Sequence, residues 1–371
     1  MRSAWIEVSL SAVRDNIRAL RSIIFPSTKI MGVIKADAYG HGAAEVAGVL
    51  RHEGVMRFGV ALAQEGVELR ERGFDEPILI LGYTPEEDFR LALRYQLTLT
   101  LYQLSQAVAL DRLAATLKRR AKVHLKVDTG MGRIGFQPGK ASVDAIVQIA
   151  KLSNLELEGI YTHFAWADNQ ESDFTQRQFA RFQNFSDELA KAGVKFSIRH
   201  AANSAATINF PETHLDMVRI GICLYGLYPD PHMVKNVKIQ LNPAMQVRGR
   251  LVHIKEVPEG TPLSYGCTFI TPRRSIIGTV PMGYADGVPR LLSNSGEVLV
   301  NGIRCPIVGK VCMDQFLVDL TDLNSVAVGD EVVLVGSQGE ENITADEIAE
   351  KAGTISYEIV SRMSGRLPRR Y

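Results

Sequence analysis

Val33-Ile34-Lys35-Ala36-Asp37-Ala38-Tyr39-Gly40-His41-Gly42 compresses the plan of this chain into ten residues. An apolar strand over Ile30–Ile34 delivers one lysine to its C-terminal end, a flexible Gly/His/Tyr turn follows, and a helix is expected from Ala43. Lysine at the end of a buried strand is costly unless its amine is neutral or covalently used.

Outward from this stretch the same unit repeats. Short apolar or β-branched runs stand near 29–35, 57–62, 77–81, 97–102, 122–127, 157–163, 195–200 and 216–225, and helical spacing fills stretches such as Ser105–Arg120, Lys140–Leu152 and Phe174–Ala192. Gly73 and Gly193 sit where helices end and the next strand is due. Eight such alternations predict an α/β fold with an N-terminal (β/α)8 TIM-type barrel rather than an open sheet. The amphipathic segment Leu10–Arg21 is expected to supply the helix that closes the ring, and the seventh unit has room only for a short helix over Ala205–Phe210. Beyond Gly226-Leu-Tyr-Pro229-Asp-Pro231 and Asn242-Pro243 the period switches to two. Ala244–Val257, Ser275–Val280, Glu297–Val300, Phe316–Leu320 and Glu331–Val335 read as antiparallel strands, with one helix at Thr344–Lys351 opened by a Thr344/Glu347 capping pattern. Two domains are expected, a barrel over 1–235 and a mainly antiparallel β-domain over 236–371.

Composition narrows the function. Lys+Arg of 42 against Asp+Glu of 41 leaves a net charge of +1, which gives no electrostatic support for nucleic-acid binding. Cys223, Cys267, Cys305 and Cys312 form no C-x-x-C pair and no metal-ligand spacing, so a reducing compartment and no metal are expected. No apolar signal segment opens the chain, and no uncharged stretch reaches membrane-spanning length. A cytoplasmic protein with no membrane partner is expected.

A barrel enzyme builds its site at the C-terminal ends of its strands. Those ends carry Lys35 and Tyr39, then Lys126, Asp128 and Arg133, then Thr162-His163, then His200 and Asn203-Ser204, and finally Arg219 with the backbone of Gly221-Ile222. Two other motifs fail. Gly130-Met-Gly132-Arg-Ile-Gly135 satisfies G-x-G-x-x-G, but Pro138-Gly139 intervenes before any helix and the unit is the fifth of a barrel series. Gly309-Lys310 mimics the end of a P-loop, but Arg304 stands where its first glycine belongs and Val311 where Ser/Thr belongs.

The lysine run, Val127-Asp-Thr-Gly-Met-Gly-Arg-Ile-Gly135, Tyr161-Thr-His-Phe164, Ala202-Asn-Ser204, Met217-Val-Arg-Ile-Gly-Ile222, Leu263-Ser-Tyr-Gly266, Met282-Gly-Tyr-Ala-Asp286, Val311-Cys-Met-Asp314 and Thr354-Ile-Ser-Tyr357 follow one another in the order of the alanine racemase signatures. The chain resembles that family over nearly its whole length. The resemblance implies pyridoxal 5'-phosphate (PLP) carried on Lys35 as a Schiff base, with Lys35 and Tyr265 as catalytic acid–bases on opposite faces of the substrate α-carbon. It implies Tyr39, Arg133, His163, Asn203, Ser204, Arg219, Gly221, Ile222 and Tyr357 around the cofactor, and Arg133 with the Met313 backbone N–H on the substrate carboxylate. Arg219 would face the pyridine nitrogen, and an arginine there keeps that nitrogen unprotonated, which favours reprotonation of the α-carbon over transamination. Lys126 matches a lysine that is often carbamylated in relatives. Lys310 replaces the arginine that many relatives carry in the channel to the site, which keeps charge and loses a planar fork.

The reaction expected is interconversion of L- and D-alanine, supplying D-alanine for cell-wall peptidoglycan, in a homodimer whose active sites are shared between chains. The alternatives are a racemase of serine or of broad specificity, a fold-related PLP decarboxylase, which should oppose the pyridine nitrogen with a carboxylate, and a non-catalytic PLP-binding protein, which has no use for Tyr265.

Overall fold

Strands buried on both faces and joined by helices are what a covered parallel sheet requires. In the computed structural model, which describes residues 3–235 and 239–371, eight such strands follow a first strand, β1 (Ala4–Val8). They are β2 (Lys29–Val33), β3 (Phe58–Val60), β4 (Ile78–Ile80), β5 (Thr98–Leu101), β6 (Ala121–Lys126), β7 (Leu155–Tyr161), β8 (Ile198–His200) and β9 (Met217–Ile220). Their ladders are parallel and sequential from β2 to β8, and β9 pairs with β2. Asp216 N–H donates to Arg199 O at 3.1 Å and Arg219 N–H to Ala202 O at 3.0 Å, which ties β9 back to β8. The result is a nearly closed eight-stranded barrel within Ser11–Ala38 and Ala43–Asn242.

Helix Leu10–Arg21 buries Val13, Ile17 and Leu20, and its Asn16 Nδ2 donates to Leu224 O and Asn242 O at 3.1 and 2.9 Å. The seventh unit has only the six-residue helix Ser204–Asn209. The run expected over 216–225 stops at Ile220, where Gly221 turns the chain into the short 3-10 helix Ile222–Tyr225.

The stretch after β2 is not the flexible turn its composition predicts. Ala36, Asp37, Ala38 and Tyr39 have φ of 52°, 52°, 54° and 53°, and Gly40 follows at 85°. They make one left-handed helical turn within Lys35–Gly40. At about 1–2 kcal/mol for each residue with a Cβ, four such residues cost about 4–8 kcal/mol, so the surroundings must impose the turn. Ala38 N–H donates to Ile34 O at 2.9 Å, and Asp37 Oδ1 accepts from Ala43 N–H at 2.8 Å. Gly40 is required where it stands: a Cβ there would lie 2.4 Å from Val360 O.

Met1–Leu10, Tyr39–Gly42 and Pro243–Tyr371 make the second unit. Its strands are β10 (Met245–Arg250), β11 (His253–Val257), β12 (Pro262–Leu263), β13 (Phe269–Ile270), β14 (Ser275–Val280), β15 (Glu297–Val300), β16 (Ile303–Val308), β17 (Phe316–Asp319), β18 (Glu331–Gln338), β19 (Glu341–Ile343) and β20 (Arg369–Arg370). The main sheet runs β11-β14-β17-β16-β15-β18-β10-β1-β20 and is antiparallel except for β1–β20. β1 is almost wholly buried and pairs with β10, so the first residues leave the barrel span expected over 1–235 and join this sheet. The boundary expected at 235/236 falls against residues 236–238, which lie outside the described residues; the units part between Asn242 and Pro243. The run Ala244–Val257 divides into β10 and β11, and Thr344 Oγ1 caps helix Ala345–Lys351 by accepting from Glu347 N–H at 3.0 Å.

Candidate active site

The strand ends of the barrel bring cations together with little to neutralise them. Lys35 stands two residues after the end of β2, Lys126 ends β6, Arg219 lies in β9, and Arg133 sits in the loop after β6. Burial, then Arg133, lowers the Lys35 amine below the usual lysine range, and Glu65 opposes the shift. Lys126 is almost fully buried. Burial, then the charge of Arg219, lowers its amine to about 7, with Arg133 adding to the shift and Asp128 opposing it. Its Nζ donates to Val127 O at 2.8 Å. Asp128 is already occupied: Oδ1 accepts from the N–H groups of Gly130, Met131 and Gly132 at 2.9–3.0 Å. Two glycines of the G-x-G-x-x-G look-alike, with Met131 between them, therefore wrap the chain's own Asp128 carboxylate, and the helix begins only at Lys140.

Arg219 is buried, and its hydrogen bonds go to backbone carbonyls and imidazole nitrogens. Nη2 donates to Thr162 O at 2.9 Å, Ala201 O at 3.0 Å and His163 Nδ1 at 3.2 Å, while Nη1 donates to His200 Nδ1 at 2.9 Å. Burial lowers the guanidinium to about 10, which leaves it charged at neutral pH. Arginine has no acceptor, so the tautomers follow by elimination. His200 accepts at Nδ1 and donates from Nε2 to His124 Nδ1 at 2.9 Å, and His124 donates from Nε2 to Glu158 Oε2 at 2.9 Å. Arg57 closes the far end with two bonds to Glu158, at 2.9 and 3.0 Å. Burial pushes both imidazoles below the ordinary histidine range, so each is neutral. Burial alone would raise the Glu158 carboxyl, but the bonds from His124 and Arg57 outweigh it and hold the group well below the usual carboxylate range. A single-polarity chain thus crosses the barrel from Arg219 to Glu158. His163 is driven well below its usual range by burial first and then by Arg219, Lys126, Arg133 and Lys35.

After β8, Asn203 caps helix Ser204–Asn209 through Oδ1, which accepts from Ala206 N–H at 2.9 Å. The Ser204 hydroxyl accepts from Gly221 N–H at 2.9 Å, which joins the loops after β8 and β9. Ile222 opens the 3-10 helix beside them. In the second unit the rings of Tyr39 and Tyr357 lie 6.2 Å apart. Tyr265 is 72% exposed, so it is not a packed core tyrosine. Left-handed Ser264 and Gly266 flank it, and Ser264 Oγ donates to Lys310 O at 2.7 Å. Met313 and Tyr284 are also exposed, and the Cys312 and Met313 carbonyls accept from Tyr284 and Ala285 N–H, each at 3.0 Å.

Sequence reasoning missed His124, Glu158, Arg57 and Glu65. A His in mid-strand β6 and a Glu in mid-strand β7 were the available signal, because interior barrel positions are normally branched and apolar. Glu65 was readable only as a residue in the first turn of a helix.

Lys126 lies in electrostatic reach of Arg219 and Arg133, and Lys35 of Arg133, with Asp128 and Glu65 the anions that oppose them; such a cluster fits an anionic ligand with several acceptors. Residues 8–229 match the alanine racemase N-terminal domain and 244–371 the alanine racemase C-terminal domain. An alanine racemase of Methanococcus maripaludis is 47% identical over 99% of this chain and 98% of its own length. The structure of the alanine racemase of Clostridium difficile 630 is 42% identical, with a TM-score of 0.94 over 100% of this chain and 95% of that one. A histidine racemase of Leuconostoc mesenteroides is 32% identical, with a TM-score of 0.91 over 100% of this chain and 98% of that one. With both domain families matched in order and the barrel and antiparallel sheet in place, this chain belongs to the alanine racemase family and is an isomerase.

Proposed function

We propose that this enzyme interconverts L- and D-alanine with PLP held on Lys35, and that Lys35 and Tyr265 move protons on opposite faces of the α-carbon. Bound PLP withdraws electrons from the α-carbon and so weakens its C–H bond. The observation that carries the reading is the buried Arg219, held by neutral acceptors in a mouth rich in cations. A charged guanidinium leaves an opposed ring nitrogen unprotonated, which suits a racemase and argues against the decarboxylase class, whose counterpart is a carboxylate.

The remaining roles follow the chemistry of each group. Lys35, with its amine lowered by burial and by Arg133, gives up its own proton more readily than an ordinary lysine and so is better suited to act as a base. Ser204, Gly221 and Ile222, with the phenols of Tyr39 and Tyr357, are assigned to the phosphate, and Asn203 to holding the Ser204 loop against it. Arg133 and the Met313 N–H are assigned to the substrate carboxylate, with Arg133 also on the cofactor's 3-hydroxyl. His163, bonded to Arg219, supports the proton network of Tyr265. Lys126 is assigned as a carbamate: its neutral amine adds to the carbon of CO2 and loses one proton, and the anion formed offsets Arg133 and Arg219. A phenol as exposed as Tyr265 needs a covering surface to act as a selective base, which supports a homodimer in which each chain completes the other's site. The enzyme works in the cytoplasm, and its D-alanine supplies cell-wall peptidoglycan.

A second reading rests on the histidine racemase: a scaffold this similar also serves a larger side chain, so the substrate of this chain is another amino acid. Incubation with separate L-alanine, L-serine and L-histidine in D2O decides. Alanine turned over at least tenfold faster, with deuterium at Cα of the D product and loss of turnover in Tyr265→Phe, is the expected result. Faster turnover of serine or histidine overturns the alanine assignment.

A further inference from the structure

Glu65 stands in the first turn of helix Ala63–Glu71, whose N-cap is Leu62, a residue with no side-chain acceptor. A glutamate in that position commonly reaches back to the N-cap N–H. Oε2 of Glu65 does this, accepting from Leu62 N–H at 3.1 Å and from Ala61 N–H at 2.6 Å. The other oxygen does something local capping does not require. Oε1 accepts from Ala36 N–H at 2.6 Å, a residue 29 positions earlier and the one that follows Lys35.

That amide has a particular place. Ala36 is the first of the four consecutive left-handed residues, and on the other side of Lys35 the Ile34 N–H donates to Gly59 O at 2.9 Å. Lys35 is therefore pinned between a ladder bond to the β3 strand and a carboxylate bond from the helix that follows β3. Relaxation of residues 36–39 to the ordinary right-handed region would swing the peptide after Lys35 and redirect its side chain. In Ala36-Asp-Ala-Tyr39 only Asp37 is of a type that visits the left-handed region with any frequency, so most of the fixing comes from outside the turn.

We infer that Glu65 is a positioning residue for Lys35: one carboxylate oxygen caps its own helix and the other locks the left-handed turn that aims the lysine. This deepens the proposed function and rests on Lys35 being the PLP-bearing residue.

Three variants of the full-length protein, loaded with PLP, separate the two oxygens. Glu65→Gln places an amide N–H2 against donors, and Glu65→Ala removes both acceptors. Glu65→Asp keeps the charge and is one methylene too short to cap Leu62 and reach Ala36 together. Hydrogen exchange of peptides covering 34–40, visible-region circular dichroism of the bound cofactor, thermal unfolding and steady-state kinetics are recorded on each. The inference expects the Ala36 amide to exchange at least tenfold faster in all three variants. It expects an altered visible dichroism and a kcat at least tenfold lower with KM changed less than threefold, and Glu65→Asp unfolding within a few degrees of wild type. Wild-type exchange at Ala36 overturns it. So does lowered thermal stability with unchanged dichroism and kcat, which would make Glu65 a helix cap only. A wild-type protein that binds no PLP through Lys35 overturns the proposed function instead, and the exchange of Ala36 still decides whether Glu65 holds the turn.

Discussion

Replacing Glu158 by glutamine tests whether the barrel interior is locked in one protonation pattern. Glu158 is 7% exposed at its side chain, His124 is fully buried and Arg57 is 17% exposed. In Glu158→Gln the new amide oxygen has to accept from His124 Nε2–H, because His124 cannot reverse: its Nδ1 must accept from His200, which must accept from Arg219. The amide N–H2 then faces the donors of Arg57. Removing one partner of a buried pair costs about 3–5 kcal/mol, and the residual exposure of Arg57 places this case at the lower end, about 3 kcal/mol. The sign with pH is fixed. A carboxylate held below its ordinary range contributes stability that is fully present above its unfolded pKa and is lost as pH falls through its folded value. The difference between wild type and variant is therefore constant near neutrality and starts to shrink below about pH 4.3. Urea unfolding at pH 7, compared by linear extrapolation, measures it. A destabilisation under 1 kcal/mol at pH 7, or one that grows on acidification, refutes the single-polarity chain.

Gly159→Ala attacks the same chain sterically, since a Cβ there would lie 2.5 Å from His124 Cε1 and Nδ1; its histidine 15N shifts should lose the Nδ1-acceptor pattern, and unchanged shifts count against it. Because the Lys126 amine is lowered to about 7, its neutral fraction, and with it the yield of carbamate from dissolved 13CO2, should rise from pH 6 to 8. A 13C carbamate signal absent in Lys126→Ala is expected, and an unmodified amine with unchanged activity in that variant sinks the assignment. With the exposed Tyr265 completed by a second chain, as proposed, activity should fall together with dimer on dilution; an active monomer refutes the shared site.

The barrel was legible because its strands are buried on both faces and the segments between them keep helical spacing, which left little choice of fold. The strand-end rule collected Lys35, Lys126, Arg133, His163, Ser204 and Arg219 on the same argument. What escaped depends on partners remote in sequence. Ala36–Tyr39 turns left-handed with no glycine before Gly40, held in part by a carboxylate 29 residues away. Ala4–Val8 reads as a strand of either unit until β10 offers it a ladder. His124 and Glu158, read alone, are polar residues in strands; only the assembled barrel turns them toward His200 and Arg57.

Racemisation of alanine by this chain depends, in the proposal above, on PLP held by Lys35. Purified protein and PLP are incubated with L-alanine beside a Lys35→Ala control, and the enantiomers are separated by chiral chromatography. Conversion toward equal L and D forms, lost in the control, is the predicted result. No D-alanine from folded, PLP-loaded protein, or equal conversion by Lys35→Ala, rules out Lys35-dependent alanine racemisation.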